Sequence, residues 1–451
     1  MNYIQANPNQ HKWSEWTPSS YRGFPALHQP VWVDIERLEK TLQDLRQLPS
    51  LVFSGETRML KSQLAVVNAG KSFLLQIGNC SESFSDCNGP LIHNFLRIML
   101  QMEMLLALNG GKEIIKVGRV AGQYAKPRSQ ATESLGGREM LTYRGDNVNS
   151  DLPDENMRRP DPERLLEGYF RSAATLNLIR AFTQGGYTEL PNISNWEHHF
   201  FNSEIHNLEY YQRFEEKLTK AISEGNISPE RQQHGRQIFI SHEALLLNYE
   251  EVFTRLDTTT GGYYDTSAHL LWIGDRTRQP SGAHVEFMRG IGNPVGIKVG
   301  PDFKPEDIVD VVRTINPTNE KGKIILISRM GKDRIEEKLS LLIRSIQRVG
   351  LEVIWSCDPM HGNTFSDNGY KIRAFDDIVQ ELRWFFTVCR AEGVIPGGVH
   401  LEVTGENVTE CTGGVTGLSL NDIPANYKTK VDPRLNAAQA LELAIVISEL
   451  I

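Results

Sequence analysis

Residues 295–315 read VGIKVGPDFKPEDIVDVVRTI, and this stretch decides the fold. The compact apolar run that opens at Val295 has the length of a buried strand. After it, Pro305 suits the first turn of a helix, and Ile308, Val311, Val312 and Ile315 recur at helical spacing. A strand followed at once by an amphipathic helix is one half of a parallel crossover unit. The pattern repeats downstream. IILIS from Ile324 precedes a segment that spaces Ile335, Leu339, Leu342, Ile343 and Ile346 and stops at Gly350. EVIWS from Glu352 precedes Phe375, Ile378, Val379, Leu382, Phe385 and Phe386, ending near Gly393. Upstream lie FLLQIG from Phe73, IIKVG from Ile114, IFIS from Ile238 and HLLWIG from His269, and VHLEVT from Val399 completes a set of eight. Eight such units most simply close into an α/β fold of the (β/α)8 TIM-barrel type; an open doubly wound sheet shares the local pattern, and the ends of the strands separate the two.

Two regions exceed a minimal barrel. Residues 1–70 contain the helix-like VDIERLEKTLQDLRQL and read as an N-terminal extension packing on a catalytic barrel of residues 71–451. More than a hundred residues separate the second and third strand candidates. They hold PERLLEGYFRSAATLNLIRAF and, in a long helical insertion at about 185–235, NWEHHFFNSEIHNLEYYQRFEEKLTKAI. Its His198, His199 and His206 are read as exposed helix residues rather than metal ligands, given the charges beside them.

Bulk properties narrow the function. A chain of 451 residues with 40% hydrophobic residues can bury a large core. A net charge of -8 disfavours a nucleic-acid backbone or an anionic membrane as partner, while a local basic pocket can still bind a small anion. The five cysteines are odd in number and scattered, no apolar run approaches the roughly 18 residues of a membrane span, and no signal-peptide pattern opens the chain. A cytoplasmic location is expected.

A barrel demands that reactive residues gather at the C-terminal ends of its strands. Strand by strand, they do: Cys80; then Arg119, Lys126, Arg128 and Ser129; Glu243; Asp275, Arg276 and Arg278; Lys298; Arg329; His361; and Glu402. Cys80, His361, Glu402 and Asp432 of VDPRLN offer sulfur, nitrogen and oxygen, a mixed set suited to a divalent ion such as Mn, Fe, Co or Zn. Arg119, Lys126, Arg128, Arg276, Lys298 and Arg329 supply more cation than a neutral ligand could use, so the substrate should carry several phosphate or carboxylate groups. No phosphate-cradling glycine loop of the nucleotide-binding kinds is present.

The strings KVGRVAGQYAKPRS, SHEALLLNYE, GAHVEF, NPVGIKVGP, LISRMG, DPMHGNT, TGENVTEC and DPRLN, in order from about Trp13 to the C-terminus, resemble the class II 3-deoxy-D-arabino-heptulosonate 7-phosphate (DAHP) synthases of plants and microbes. The resemblance implies a TIM barrel that condenses phosphoenolpyruvate with erythrose 4-phosphate, the first step of the shikimate pathway, with a required divalent metal, manganese foremost. It implies Cys80, His361, Glu402 and Asp432 as metal ligands. It assigns Arg119, Asp275, Arg276, Lys298 and Arg329 to phosphoenolpyruvate, and Lys126, Arg128 and Ser129 to the aldose phosphate. His361 is then the ligand of WSCDPMHGNT, Asp358 and Gly362 shape the turn that presents it, and Cys357 packs structurally, since strand alternation sets it off the His361 side. Lys298, Asp275 or Glu243 could position the attacking water or move its proton. The extension and the insertion are similar to regions that build subunit interfaces and aromatic amino-acid effector sites in longer members, which implies a homo-oligomer, dimer or tetramer, and feedback inhibition.

The chain departs from the family pattern at three places. The usual GDCAE reads GNCSE, with Asn79 and Ser81; the usual GERTR reads GDRTR, with Asp275 one methylene short; and Val431 stands where many members carry cysteine, which removes a disulfide with Cys80. The first two changes bear on rate or on the choice of aldose. The alternatives they admit are an enzyme that takes an imino aldose phosphate to the amino analogue of the product, and an inactive metal-binding regulatory paralogue.

Overall fold

The computed structural model describes residues 15–135, 137–187, 216 and 237–451. Eight parallel strands close into one barrel: β1 (Ser72–Gly78), β2 (Glu113–Arg119), β3 (Phe239–Glu243), β4 (Leu270–Ile273), β5 (Val295–Val299), β6 (Ile324–Ser328), β7 (Ile354–Cys357) and β8 (Pro396–Glu402). Each pairs with its sequence neighbours, and β8 returns to β1 with Leu74 opposite Gly398 and Gly78 opposite Glu402. The α/β barrel is therefore closed, not an open sheet. All eight strands fall on the eight apolar runs.

Helices α1 (Ile35–Gln47), α2 (Ser54–Asn68), α3 (Gly89–Gly110), α4 (Glu163–Gln184), α5 (Leu247–Phe253), α6 (Ala283–Arg289), α7 (Pro305–Ile315), α8 (Ile335–Arg348), α9 (Phe375–Ala391) and α10 (Ala437–Ser448) surround it. In α7, Pro305 opens the first turn beside Glu306 and Asp307, and Arg313 lies in the last turn, charges placed to oppose the helix dipole. Its Ile308, Val311, Val312 and Ile315 are buried, as are Ile335, Leu339, Leu342, Ile343 and Ile346 of α8. Gly350 and Gly393, just past α8 and α9, adopt positive φ of 67° and 71°, the left-handed conformation that ends a helix at little cost to glycine.

The core has two parts. The larger lies between strands and helices. The smaller fills the barrel interior with Leu74, Ile115, Val117, Phe239, Leu270, Trp272, Ile325, Ile327 and Ile354. Leu60, Leu64 and Val67 of α2 belong to this second cluster, so the extension supplies a helix that closes the barrel floor. The helix expected in VDIERLEKTLQDLRQL is α1, capped by Asp34, whose side chain accepts the Arg37 N–H.

Between β2 and β3, the described residues form a short hairpin (Thr132–Leu135 with Arg138–Leu141) and then α4. Most of the insertion expected at about 185–235, with His198, His199 and His206, lies outside the described residues. Among the described residues no helix is long and apolar enough to cross a membrane.

Candidate functional site

The strand ends converge as the barrel demands. A cleft of about 260 Å³ is lined by Lys126, Arg128, Ser129, Glu243, Asp275, Arg276, Lys298, Arg329, His361 and Asp432, together with Lys371 and Val431. Beneath it lie Cys80, Arg119 and Glu402, all buried. Every residue expected from the strand ends is thus on the cleft or directly under it, except Arg278, which pairs with Asp275 beside it. Arg119 is the cation expected at the substrate that does not line the cleft.

The ligand set is built from four separate segments. Donor atoms of Cys80, Glu402 and Asp432 lie within 4.8 Å of one another. His361 Nε2 stands 3.3 Å from Glu402 Oε1, and its Nδ1 is 2.7 Å from Asp358 Oδ2. Asp358 orients the ring through Nδ1, which leaves Nε2 aimed at the Glu402 carboxylate. Cys80 Sγ is 3.3 Å from Asp432 Oδ2, and burial followed by the Glu402 charge pushes its thiol pKa up. Sulfur, imidazole nitrogen and carboxylate oxygen gathered this closely are a donor chemistry that fits a divalent cation, which Cys80, His361, Glu402 and Asp432 would hold.

Electrostatics keep the carboxylates ionised. Burial alone would raise the Glu402 pKa, but His361, Arg373 and Arg119 hold it well below the usual carboxylate range. Arg119 donates to its Oε1 at 2.8 Å and Arg373 to its Oε2 at 2.7 Å. Asp432 is likewise lowered, against burial and Glu402, by Lys126, His361 and Arg373, and it accepts from Lys371 at 2.8 Å. Asp358 is lowered against burial by His361 and Lys298, with Lys298 Nζ 3.0 Å away. Burial lowers the Lys298 pKa, although Asp358 opposes it.

The cation wall is held by its own counter-ions. Asp275 accepts from Arg329 at 3.3 Å, from Arg278 at 3.0 Å and from the Gly300 N–H at 2.8 Å. Its shorter side chain therefore still reaches the neighbouring strands, helped by Gly300, where a Cβ would press on the carboxylate at 2.6 Å. Arg276 donates to the Pro127 carbonyl at 3.2 Å, and Arg128 pairs with Glu133 at 3.1 Å. Glu243 keeps Oε1 without a hydrogen-bond partner among the described atoms, in space that a side chain at Gly274 would fill.

The departures are accommodated. Asn79 Oδ1 accepts from Arg434 at 2.9 Å, the bond a carboxylate would make there. Cys80 is a free thiol, as Val431 requires. Cys357 is buried, and burial raises its thiol pKa, in keeping with a packing role.

Sequence reasoning missed Arg373 and Lys371, which come from the hairpin Thr364–Asp367 with Tyr370–Ala374 after β7 rather than from a strand end. It also missed His400, two residues before Glu402 on the same face of β8; period-two alternation was the signal that could have found it.

A family model described as the class-II DAHP synthetase family matches residues 16–448. The chain is 43% identical over 436 residues to a phospho-2-dehydro-3-deoxyheptonate aldolase of Streptomyces coelicolor, with 96% of each chain covered. It is 43% identical over 440 residues to the phospho-2-dehydro-3-deoxyheptonate aldolase AroG of Mycolicibacterium smegmatis, covering 95% of this chain and 93% of that one.

Proposed function

The chain belongs to the class-II DAHP synthetase family, and from that premise we propose that it condenses phosphoenolpyruvate with D-erythrose 4-phosphate and water, giving DAHP and phosphate at the head of the shikimate pathway. The observation that carries this reading is one cleft in which a mixed S/N/O donor set lies beside a wall of cations. Two anionic substrates repel each other, and the wall offsets that repulsion where their reacting carbons must meet.

Arg119, Arg276, Lys298 and Arg329, with Asp275 orienting Arg329, hold phosphoenolpyruvate. Lys126, Arg128 and Ser129 hold the aldose phosphate. Cys80, His361, Glu402 and Asp432 would hold a divalent cation, manganese first and cobalt, iron or zinc as substitutes, whose Lewis acidity would polarise the aldehyde when bound. The enol carbon of phosphoenolpyruvate then bonds to the aldehyde carbon, water adds to the cation-like carbon left behind, and phosphate departs. Asp275 is committed to three donors, so Glu243, with its unpartnered oxygen, is assigned to the water. Lys298, whose pKa burial lowers, is assigned to the proton.

The same reading makes the protein a cytoplasmic homo-oligomer, dimer or tetramer. Its extension, residues 1–70, and its insertion at about 185–235 then serve subunit contact and an aromatic amino-acid effector around the barrel of residues 71–451. The test is the loss of phosphoenolpyruvate ultraviolet absorbance in metal-supplemented protein, with and without erythrose 4-phosphate, and mass analysis of the product. Aldose-dependent loss yielding the seven-carbon acid phosphate is expected, abolished by a chelator and restored by manganese. Turnover restricted to the imino aldose, or metal binding without any turnover, overturns the proposal.

A further inference from the structure

Under the cleft a chain of buried polar side chains crosses the barrel interior. Arg119 Nη1 lies 2.8 Å from His400 Nε2, and His400 Nδ1 lies 2.8 Å from Gln76 Oε1. Gln76 Nε2 is 2.9 Å from Ser241 Oγ, which is 3.1 Å from the Gly118 carbonyl oxygen. All four side chains are fully buried. The barrel register brings them together, since Gln76 pairs with His400 across the seam between β1 and β8.

The chain can run in one direction only. A guanidinium has donors and no acceptor, so His400 Nε2 must accept. A neutral imidazole then carries its proton on Nδ1, and Gln76 must present its carbonyl oxygen to that proton. Its amide nitrogen is left to donate to Ser241, whose hydroxyl donates to the Gly118 carbonyl. Turning any link around would set two donors or two acceptors face to face inside a dry core.

Arg119 has two side-chain anchors, His400 on Nη1 and Glu402 on Nη2. Glu402 is shared with His361 and Arg373, whereas among the described residues the His400 acceptor serves Arg119 alone. Trp272 braces the pair, with its ring 5.1 Å from the imidazole at 89° and 5.3 Å from the guanidinium carbon. Arg119 Nε has no hydrogen-bond partner among the described atoms.

We infer that His400 is a positioning residue for phosphoenolpyruvate: its Nε2 accepts from Arg119 and fixes the guanidinium so that an unspent donor remains for an anionic oxygen of the substrate. This rests on the reading that Arg119 binds phosphoenolpyruvate.

The experiment is calorimetry of phosphoenolpyruvate and of manganese on wild type, His400→Leu and His400→Gln, with steady-state kinetics and a nitrogen-15 tautomer measurement on the wild-type histidines. His400→Leu is expected to raise the Kd and KM for phosphoenolpyruvate by about tenfold or more, the loss of a bond to a charged group. The KM for the aldose phosphate and the manganese stoichiometry should stay unchanged. His400→Gln, which can offer an oxygen near the Nε2 position, should recover most of the affinity. Wild-type phosphoenolpyruvate affinity in folded His400→Leu overturns the inference. So does a His400 ring protonated on Nε2, a readout that stands even where the leucine variant does not fold. Wild-type protein that binds no phosphoenolpyruvate overturns the functional reading instead, and the inference with it.

Discussion

Arg329 shows how a single residue at a strand end takes on its role. Its backbone N–H bonds to the Val299 carbonyl at 2.9 Å, which extends the β5–β6 pairing by one step and turns the side chain into the cleft. There Nη1 reaches Asp275 at 3.3 Å, and Nε has no hydrogen-bond partner among the described atoms. A buried donor without an acceptor costs free energy that a bound carboxylate or phosphate would return. Arg329→Ala is therefore expected to weaken phosphoenolpyruvate binding by roughly 10- to 100-fold, the range for a bond to a charged group, while sparing the cation site, from which Arg329 is not a donor. Calorimetry of both ligands on the variant checks this; unchanged phosphoenolpyruvate affinity would refute it. At this scale the sequence was most legible where one residue meets one rule. Cys80, Arg329, His361 and Glu402 each lie at or just past the C-terminal end of a strand, and the barrel principle picks them out. Asp358 was read as a turn former, but its carboxylate also binds both His361 and Lys298, a double duty no local pattern encodes. Arg373 stayed hidden because it reaches Glu402 from a hairpin, by a contact that exists only once the barrel has closed.

Among the elements, α2 has the most to say about stability. Its Leu60, Leu64 and Val67 recur at i, i+4 and i+7 and are fully buried against the barrel interior. The stripe is narrow and lies in a polar surrounding, which is why the extension betrayed α1 more readily than this floor. Leu64→Ala is expected to cost about 2–5 kcal/mol, transfer loss plus the cavity left behind, and to lower the urea midpoint without changing the chemistry above. The same end of the barrel holds Lys323, one residue before β6, with Nζ donating to the carbonyls of Ile291 at 2.5 Å and Asn293 at 2.6 Å. Burial, with Lys61 adding to it, lowers its pKa to about 7. In the unfolded chain a lysine titrates near about 10.4. Between these values the unfolded state binds the extra proton, so the stability contribution rises with pH from about 7 to about 10 and is lost as pH falls through 7. Lys323→Met should remove this rise. Denaturant midpoints of wild type and variant at several pH values across that window check it, and parallel curves would show that Lys323 is charged in the fold.

The whole molecule carries an excess of negative charge, yet its cleft is cationic. The repetition of strand and helix made the barrel legible, because eight copies of one local pattern have few global solutions. The long connection between β2 and β3 was legible only as an excess of length, since nothing local says where a long surface insertion packs. Charge behaves in the same two-level way. The net charge of -8 is spread over a surface of 20011 Å², while Lys126, Arg128, Arg276, Lys298, Arg329 and Lys371 share the lining of a cleft of about 260 Å³. The screening length is about 8 Å at physiological ionic strength. Charges sharing so small a cleft stand closer to a bound anion than this, and the diffuse surface charge stands on average much farther away. The local attraction therefore outweighs the global repulsion at the point of binding, and added salt competes chiefly with the attraction. Raising potassium chloride from about 50 mM to about 500 mM, which shortens the screening length severalfold, is expected to raise the KM for phosphoenolpyruvate and for the aldose phosphate severalfold and to leave kcat nearly constant, since bound substrate stays among the same buried groups. Steady-state kinetics across that range decide the matter. A KM that falls with salt would mean that the long-range repulsion dominates and that the cleft cations are spent on their protein counter-ions.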